Sequence, residues 1–407
     1  MPRFLRVLLT ALPFLVLAYI YVGWKVYHAC AGWLQIPSYY LNLMALGTLF
    51  WLCVYPLVLA LLHLVLGSKK NPDGPVDNLV LDIFFAWPFW IGLILVCEIL
   101  PLFLLLDFLK LPLYPLFDLS RVQWLGYQHR VVLVLTAGYL LHIMTRVLID
   151  TIRIEVRQFS MPGAGISASV RGLRIVHISD IQFDRRTRVG RLRRYVKKVN
   201  NLKPDLVFFT GDLVAQDIRT STLAARILGR VKARYGIYAC LGDEDHRHGA
   251  REIVECLKEN EIRTFDNKNE LVQAGREYIM VSFITNTREQ RTNLDNLNFL
   301  MGQQPRGVID IAIMHQPSEI VVELAAERGY HLLLAGHTHG GQVIVRPCGI
   351  RLTPARMHTP FYRGTHLVNK MAVSINAGLG FRQVPLRYRS PAEVSLIEIG
   401  DDQVPIV

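Results

Sequence analysis

The sequence predicts two regions in one chain: an N-terminal set of about four membrane-spanning α-helices and a C-terminal α/β domain. Three observations predict this. The 407 residues are 51% hydrophobic and only 19% charged. Most of the charge falls after residue 145. In the second half, ligand-type polar residues recur at the ends of short β-branched runs. At ~150 residues per domain, the length allows two or three units.

Crossing the hydrocarbon takes roughly 20 apolar residues. Val7–Trp24 supplies an uncharged run, and Leu41–Leu66 a second with His63 near its end. Ile83–Leu106 is a third, containing Glu98, and Val131–Ile149 a fourth, with His142 and Arg146 near its C-terminal end. No small-residue cleavage site follows the first run and further spans come after it, so a span is expected there rather than a cleaved signal peptide. Pro101 interrupts the third run, and apolar sequence continues to Leu116. That predicts one long tilted helix, or a helix followed by a re-entrant piece.

With four spans, both chain ends share a side. Arg3, Arg6, Lys69, Lys70, Arg146, Arg153 and Arg157 make that side cytoplasmic by the positive-inside rule, against Lys25, Lys110, Arg121 and Arg130 in the opposite loops. The expectation is an integral protein of an inner or cytoplasmic membrane, with lipids as partners and the C-terminal domain in the cytoplasm. Glu98 at membrane depth marks either a functional group or a carboxyl protonated or paired between helices. The net charge of +12 suits anionic partners. None of the six cysteines forms a CxxC pair, which argues against a zinc knuckle or redox motif.

Residues 151–169 read as a linker, with Pro and Gly concentrated in Ser160–Ser167. Residues 170–407 form the C-terminal domain. Strands are expected at Leu173–Ile178, Asp205–Thr210, Tyr235–Leu241, Tyr278–Ile284, Val308–Met314 and His331–Leu334. Helices are expected at Val189–Asn200, Ser221–Ala233, Ala250–Asn260 and Pro317–Arg328, which gives a helix-covered sheet. Asp180, Asp212, the trio Asp243, Glu244 and Asp245, His315, and the pair His337 and His339 each follow a strand. Open α/β sheets bind ligands at this edge. Mixed imidazole and carboxylate suits two divalent ions (Mn, Fe or Zn) about 4 Å apart, sharing a carboxylate and a hydroxide. A basic run, Arg185, Arg186, Arg188, Arg191, Arg193, Arg194, Lys197 and Lys198, is either a solvated helix face or a contact for phosphates or a bilayer. Few aromatics interleave it, which argues against nucleic acid.

The segments Ile175-Val-His-Ile-Ser-Asp-Ile-Gln182, Lys203-Pro-Asp-Leu-Val-Phe-Phe-Thr-Gly-Asp-Leu213, Leu241-Gly-Asp-Glu-Asp245, Met314-His-Gln-Pro317 and Leu334-Ala-Gly-His-Thr-His-Gly-Gly-Gln342 resemble the calcineurin-like metallophosphoesterases. Asn376-Ala-Gly-Leu-Gly-Phe and Pro391-Ala-Glu-Val resemble a membrane-associated, bacterial-type branch. The resemblance implies a β-sandwich flanked by helices. It implies Asp180 and His339 on a first metal, Asp212 as the bridging carboxylate, and His315 and His337 on a second, with a metal-bound hydroxide attacking phosphorus in line.

Three positions depart from the family pattern. Gln182 stands where the first motif has His, and offers an amide oxygen as a ligand. Asp243 stands for Asn and can still ligate. Glu244 stands for the His that supports phosphoryl charge or protonates the leaving oxygen. An ionised Glu244 would repel that charge, and a protonated one could donate. His246 could take the role if the loop shifted. The function expected is a membrane-anchored metal-dependent phosphoesterase, acting on phosphomonoesters or phosphodiesters, with a lipid-linked compound among the substrates considered. The alternative is a catalytically weakened metal-binding homologue serving as a membrane scaffold or sensor.

Overall fold

The computed structural model describes residues 3–66, 78–113, 121–161, 167–215, 217–302 and 307–400. Lys69, Lys70, the end of the continuation at 114–116 and the centre of the expected linker lie outside the described residues. The chain clusters into two compact units. The first is Met1–Ile149 with Ile344–Leu352 and Gln383–Arg389; the second is Asp150–Val343 with Thr353–Arg382 and Ser390–Val407.

The first unit contains α1 (Arg3–Ala29), α2 (Ser38–Leu66), α3 (Leu79–Leu81), α4 (Trp87–Leu113) and most of α5 (Arg121–Ile152). Asn78 starts α3 by accepting the Val80 N–H at 2.9 Å, and a π-helical turn, Asp82–Ala86, carries α3 into α4. α4 runs unbroken through Pro101, so the described part of the third run is one long helix. Among the described residues four segments are long and apolar enough to cross a membrane: Phe4–Leu34, Ser38–Val65, Leu79–Phe108 and Val122–Ile152. At 1.5 Å per residue each exceeds the ~30 Å hydrocarbon core. Tyr19, Val22, Val96, Ile99, Phe103 and Val132 pack together inside the unit. Phe14, Leu64 and Val65 face outward, more than 70% exposed, a surface that suits lipid rather than water.

Glu98 is buried and paired, although its partners are not other helices. Its carboxylate accepts from Arg389 Nη1 at 2.7 Å, from the Tyr388 hydroxyl at 3.1 Å and from the Arg346 N–H at 3.1 Å. Two C-terminal segments, distant in sequence, thus complete the helical unit.

The second unit is built on two six-stranded sheets. The first has the order β1 (Ile154–Met161), β12 (Ala392–Ile399), β2 (Arg174–Ile178), β3 (Leu206–Phe209), β4 (Ile237–Ala239), β5 (Ile262–Thr264). The second runs β10 (Gly364–Val368), β11 (Met371–Ile375), β9 (Leu332–Ala335), β8 (Ile309–Met314), β7 (Glu277–Ile284), β6 (Lys268–Ala274). Strand alternation sorts the side chains. Ile175, Leu206 and Phe208 meet Ile309, Ile311 and Ile313 between the sheets. Val176, Val207 and Phe209 point the other way, onto α6 (Val189–Asn201), α7 (Ser221–Leu228) and α8 (Asp243–Glu259). Ala312 and Met314 pack under α9 (Leu294–Gly302) and α10 (Glu319–Glu327). The architecture is a β-sandwich flanked by helices.

One expectation shifts and another is extended. Residues 151–169, read as a linker, contain β1, which pairs along its whole length with β12, from Ile154 with Ala392 to Met161 with Ile399. The helix expected from Ala250 is present, and ahead of it, across a break at Gly249 (φ 145°), a further helical turn opens with Asp243, Glu244 and Asp245. Acidic residues are favoured there by the helix dipole.

Glu98→Leu removes the carboxylate partner of Arg389 and two further donors. Removing one member of a buried pair costs about 3–5 kcal/mol. The expected result is a lower thermal unfolding midpoint of the detergent-solubilised chain, measured against wild type.

Candidate metal centre

The strand ends of both sheets converge on one cluster. Asp180 follows β2, Asp212 follows β3, Asp243 opens α8 after β4, His315 follows β8, and His337 and His339 follow β9. Asp180, Asp212, Asp243 and His315 are fully buried. Two groups have ligand atoms close enough to hold a metal ion: Asp243 with His315 and His337, and Asp180 with Asp212 and His315, all within 4.8 Å of one another in each. His339 Nε2 lies 3.3 Å from Asp180 Oδ1, a buried oxygen that accepts no hydrogen bond. His337 Nδ1 is 2.9 Å from Asp243 Oδ2 and 3.3 Å from His315 Nε2.

The backbone is bent to achieve this. Asp180, Gln182, Asp212, His337 and His339 all have positive φ, between 48° and 67°. For residues with a Cβ this costs about 1–3 kcal/mol each, and such strain collects at functional sites. Gly336 and Gly242 permit the close approach. A Cβ on Gly336 would sit 1.8 Å from Ser179 Oγ, and one on Gly242 would sit 2.2 Å from Asp212 Oδ1.

Hydrogen bonds then fix the side chains. His315 Nδ1 lies 2.7 Å from the Thr210 carbonyl, which turns Nε2 toward Asp212 Oδ2, 3.5 Å away. Asp180 Oδ2 accepts from the His337 N–H at 2.9 Å and from Ser179 Oγ at 2.5 Å. Asp212 Oδ1 accepts the Glu244 N–H at 2.8 Å. Asp245 is a clamp: its carboxylate takes the N–H groups of Asp212, Leu213 and Gly242 at 2.7–2.9 Å, locking two ligand loops together. Burial, and the neighbouring charge of Asp212, push its pKa up to about 7 against those donors.

The field of the cluster favours positive charge. Burial alone would lower His315, but the carboxylates of Asp212, Asp180 and Asp243 outweigh it and hold the imidazole well above its ordinary pKa. A donor set of three carboxylates and three imidazoles, with a buried oxygen aimed inward, fits divalent cations of the borderline class.

The departing positions take up defined places. Gln182 enters as a donor, its Nε2 2.6 Å from Asp212 Oδ2. Glu244 is an acceptor. Arg382 Nη2 donates to it at 3.0 Å, Arg247 Nη1 at 3.3 Å, and His248 Nε2 lies 3.4 Å away. Burial acts to raise its pKa, but His248 and the Arg382 and Arg247 guanidiniums prevail and hold the carboxyl below its usual range. Of the two forms the sequence leaves open for Glu244, these contacts favour the ionised one. His246 lies in the same first turn, half-buried, in neither metal-type group, and its largest charge interaction is with Asp266.

Arg382 and Asp245 were not singled out as functional from the sequence. Arg382 directly follows the Asn376–Phe381 segment, and a basic residue ending a Gly-rich loop was the available signal. Asn376 Nδ2 braces that loop by donating to the His177 carbonyl at 3.1 Å and to Ser395 Oγ at 2.9 Å. The basic run divides its labour. Leu192, Val196 and Val199 are buried behind it, while Arg191 and Arg194 donate to the Thr151 and Ile152 carbonyls at the end of α5.

Comparisons with known proteins agree with this geometry. Residues 173–341 match the family model described as calcineurin-like phosphoesterase. A zebrafish (Danio rerio) transmembrane protein with metallophosphoesterase domain is 29% identical over 253 residues, 60% of this chain and 56% of the relative. An uncharacterized metallophosphoesterase of Bacillus subtilis, YkuE, is 22% identical over 60% of this chain and 85% of its own length. The UDP-2,3-diacylglucosamine pyrophosphatase LpxG of Chlamydia muridarum is 36% identical over 80 residues, 19% of this chain and 24% of that protein. Against the zebrafish relative, the alignment spans just over half of that protein's length.

His177, beneath Asp180, gives the site a pH signature. Burial, and the charge of Arg157, lower its pKa to about 3, and Nε2 stays paired with Thr210 Oγ1 at 2.9 Å. The unfolded chain takes up this proton near pH 6.5 and the folded chain does not. Stability is therefore expected to fall as pH drops below 6.5, and to fall less steeply in His177→Gln, measured by thermal unfolding across a pH series.

Proposed function

We propose, from the premise that the chain carries a calcineurin-like phosphoesterase domain over residues 173–341, that it is a membrane-anchored, metal-dependent hydrolase of phosphomonoesters or phosphodiesters. The single observation that carries this reading is the convergence of Asp180, Asp212, Asp243, His315, His337 and His339 from both sheets onto one buried cluster.

In this reading Asp180 and His339 hold one cation, Asp243, His315 and His337 hold a second, and Asp212 lies between them. Manganese, iron or zinc suits the mixed donors. Bound divalent ions supply Lewis acidity toward a phosphoryl oxygen and lower the pKa of water to near neutrality. The chain's own residues do the rest. His315 is oriented by Thr210, Asp245 keeps the Asp212 and Asp243 loops in register, and Gln182 steadies the Asp212 carboxylate. The buried strand ends exclude bulk water, so each charge acts at close to full strength.

A lipid-linked phosphoester is the substrate class we favour. Two findings support it: the four apolar helices, and the local likeness to a pyrophosphatase named for a diacylated sugar nucleotide. By the positive-inside rule Arg3, Arg6, Arg146, Arg153 and Arg157 favour a cytoplasmic C-terminal domain in a cytoplasmic membrane.

The second reading, a weakened homologue acting as a scaffold or sensor, draws on Gln182 and Glu244. Turnover separates the two. The purified full chain with Mn²⁺ is expected to hydrolyse a generic aryl phosphodiester. Asp212→Asn is expected to lose bound metal and at least about 100-fold in turnover, the scale on which even a partner behind the ligands acts. Unchanged turnover and metal content in Asp212→Asn would sink the hydrolase reading.

A further inference from the structure

Three guanidiniums crowd one side of the carboxylate cluster. Arg382 Nη2 is on Glu244, and its Nη1 is 3.9 Å from Asp243 Oδ2, beyond hydrogen-bond range. Arg288 Nε is 3.7 Å from the same Asp243 oxygen, and the Arg288 N–H donates to Asp243 Oδ1 at 2.8 Å. Arg247 shares Glu244 with Arg382 and also reaches Glu289 at 2.8 Å. Arg288 lies close enough to both other arginines to feel their charge.

The Arg382 backbone is pinned from two sides. Its N–H donates to Gln342 Oε1 at 3.3 Å, and its carbonyl accepts from Arg186 Nη1 at 3.0 Å. Its side chain is 15% exposed, so the guanidinium is held but reachable. Like charges this close are costly unless an anion joins them. Asp243 is committed by its geometry to His337 and the metal-type group, and Glu244 spreads its one charge over two arginines and a histidine. With cations held on the carboxylates, a phosphoryl group would bring negative charge to face the arginines, and a guanidinium fork matches its oxygens.

We propose that Arg382, anchored by Glu244, is a catalytic residue that binds the non-bridging oxygens of the substrate's phosphoryl group, with Arg288 and Arg247 completing an anion subsite. This rests on the hydrolase reading above, and it gives the Glu244 departure a purpose. The position that carries an imidazole in the family pattern here carries an acid that holds an arginine, so the cation is delivered from another loop. Glu244 is a positioning residue.

The test reads binding as well as rate. The full-length protein in detergent is loaded with Mn²⁺, and inorganic phosphate is titrated by calorimetry. Arg382→Ala is expected to keep its metal content and to bind phosphate about 10- to 100-fold more weakly, the range of one lost charge-assisted hydrogen bond. Arg382→Lys keeps the charge without the fork and is expected to fall between Arg382→Ala and wild type. Glu244→Gln is expected to weaken phosphate binding less than Arg382→Ala does, and to raise KM as well as lower kcat. Phosphate affinity unchanged in Arg382→Ala, with metal retained, overturns the proposal. Failure of the hydrolase reading shows elsewhere, as unchanged turnover and metal content in Asp212→Asn, so the two failures are told apart.

Discussion

Asp180, Asp212, Asp243 and Asp245 are buried within one cluster, at the ends of strands that belong to two different sheets. Each buried carboxylate costs several kcal/mol unless something compensates it. The surrounding structure is organised around that cost. Asp245 spends its charge on three backbone N–H groups, and thereby ties the loop after β3 to the start of α8. Asp180 leans on Ser179 and the His337 N–H, and Asp212 on Gln182 and the Glu244 N–H. What hydrogen bonds leave over, His315 and the arginines meet in part, and the cluster keeps its appetite for cations.

The same constraint accounts for the backbone. The ligands face one another because the chain reverses soon after most of the strands, so Asp180, Asp212, His337 and His339, with Gln182 beside them, sit in the left-handed region. The hydrophobic layers carry that strain. Ile175, Leu206 and Phe208 on one sheet face Ile309, Ile311 and Ile313 on the other, and each buried side chain contributes about 1.5–3 kcal/mol. A cluster built on such strands has its first bond fixed by sheet register rather than by a mobile loop.

Much of this was legible in the sequence, and for a physical reason. Metal-type ligands must follow strands directly, so Asp180, Asp212, His315, His337 and His339 stand at fixed offsets from apolar runs. The long helices were legible because an apolar stretch has one meaning at that length. What was hidden depends on chain segments far apart. β1 lies in a stretch that reads as a linker, and only its pairing with β12 makes it a strand. Arg382 meets Glu244 across 138 positions, so no local pattern could announce the pair. The helical turn that opens α8 at Asp243, ahead of the break at Gly249, carried no apolar periodicity by which to read it, although the helix dipole welcomes its three acids.

Glu98 has a consequence for how this chain can be divided. Its carboxylate is satisfied by Arg389, Tyr388 and the Arg346 N–H, in segments that cluster with the helices although they follow the strand-end carboxylates and imidazoles in sequence. The two regions are therefore not cassettes. A helical region borrowed from another protein would have to bring an acid at the matching position, and a C-terminal fragment severed at residue 150 would carry Tyr388 and Arg389 into water without it. Recombination between relatives should respect that acid and its basic loop as one inherited unit, cutting across the boundary that hydropathy draws.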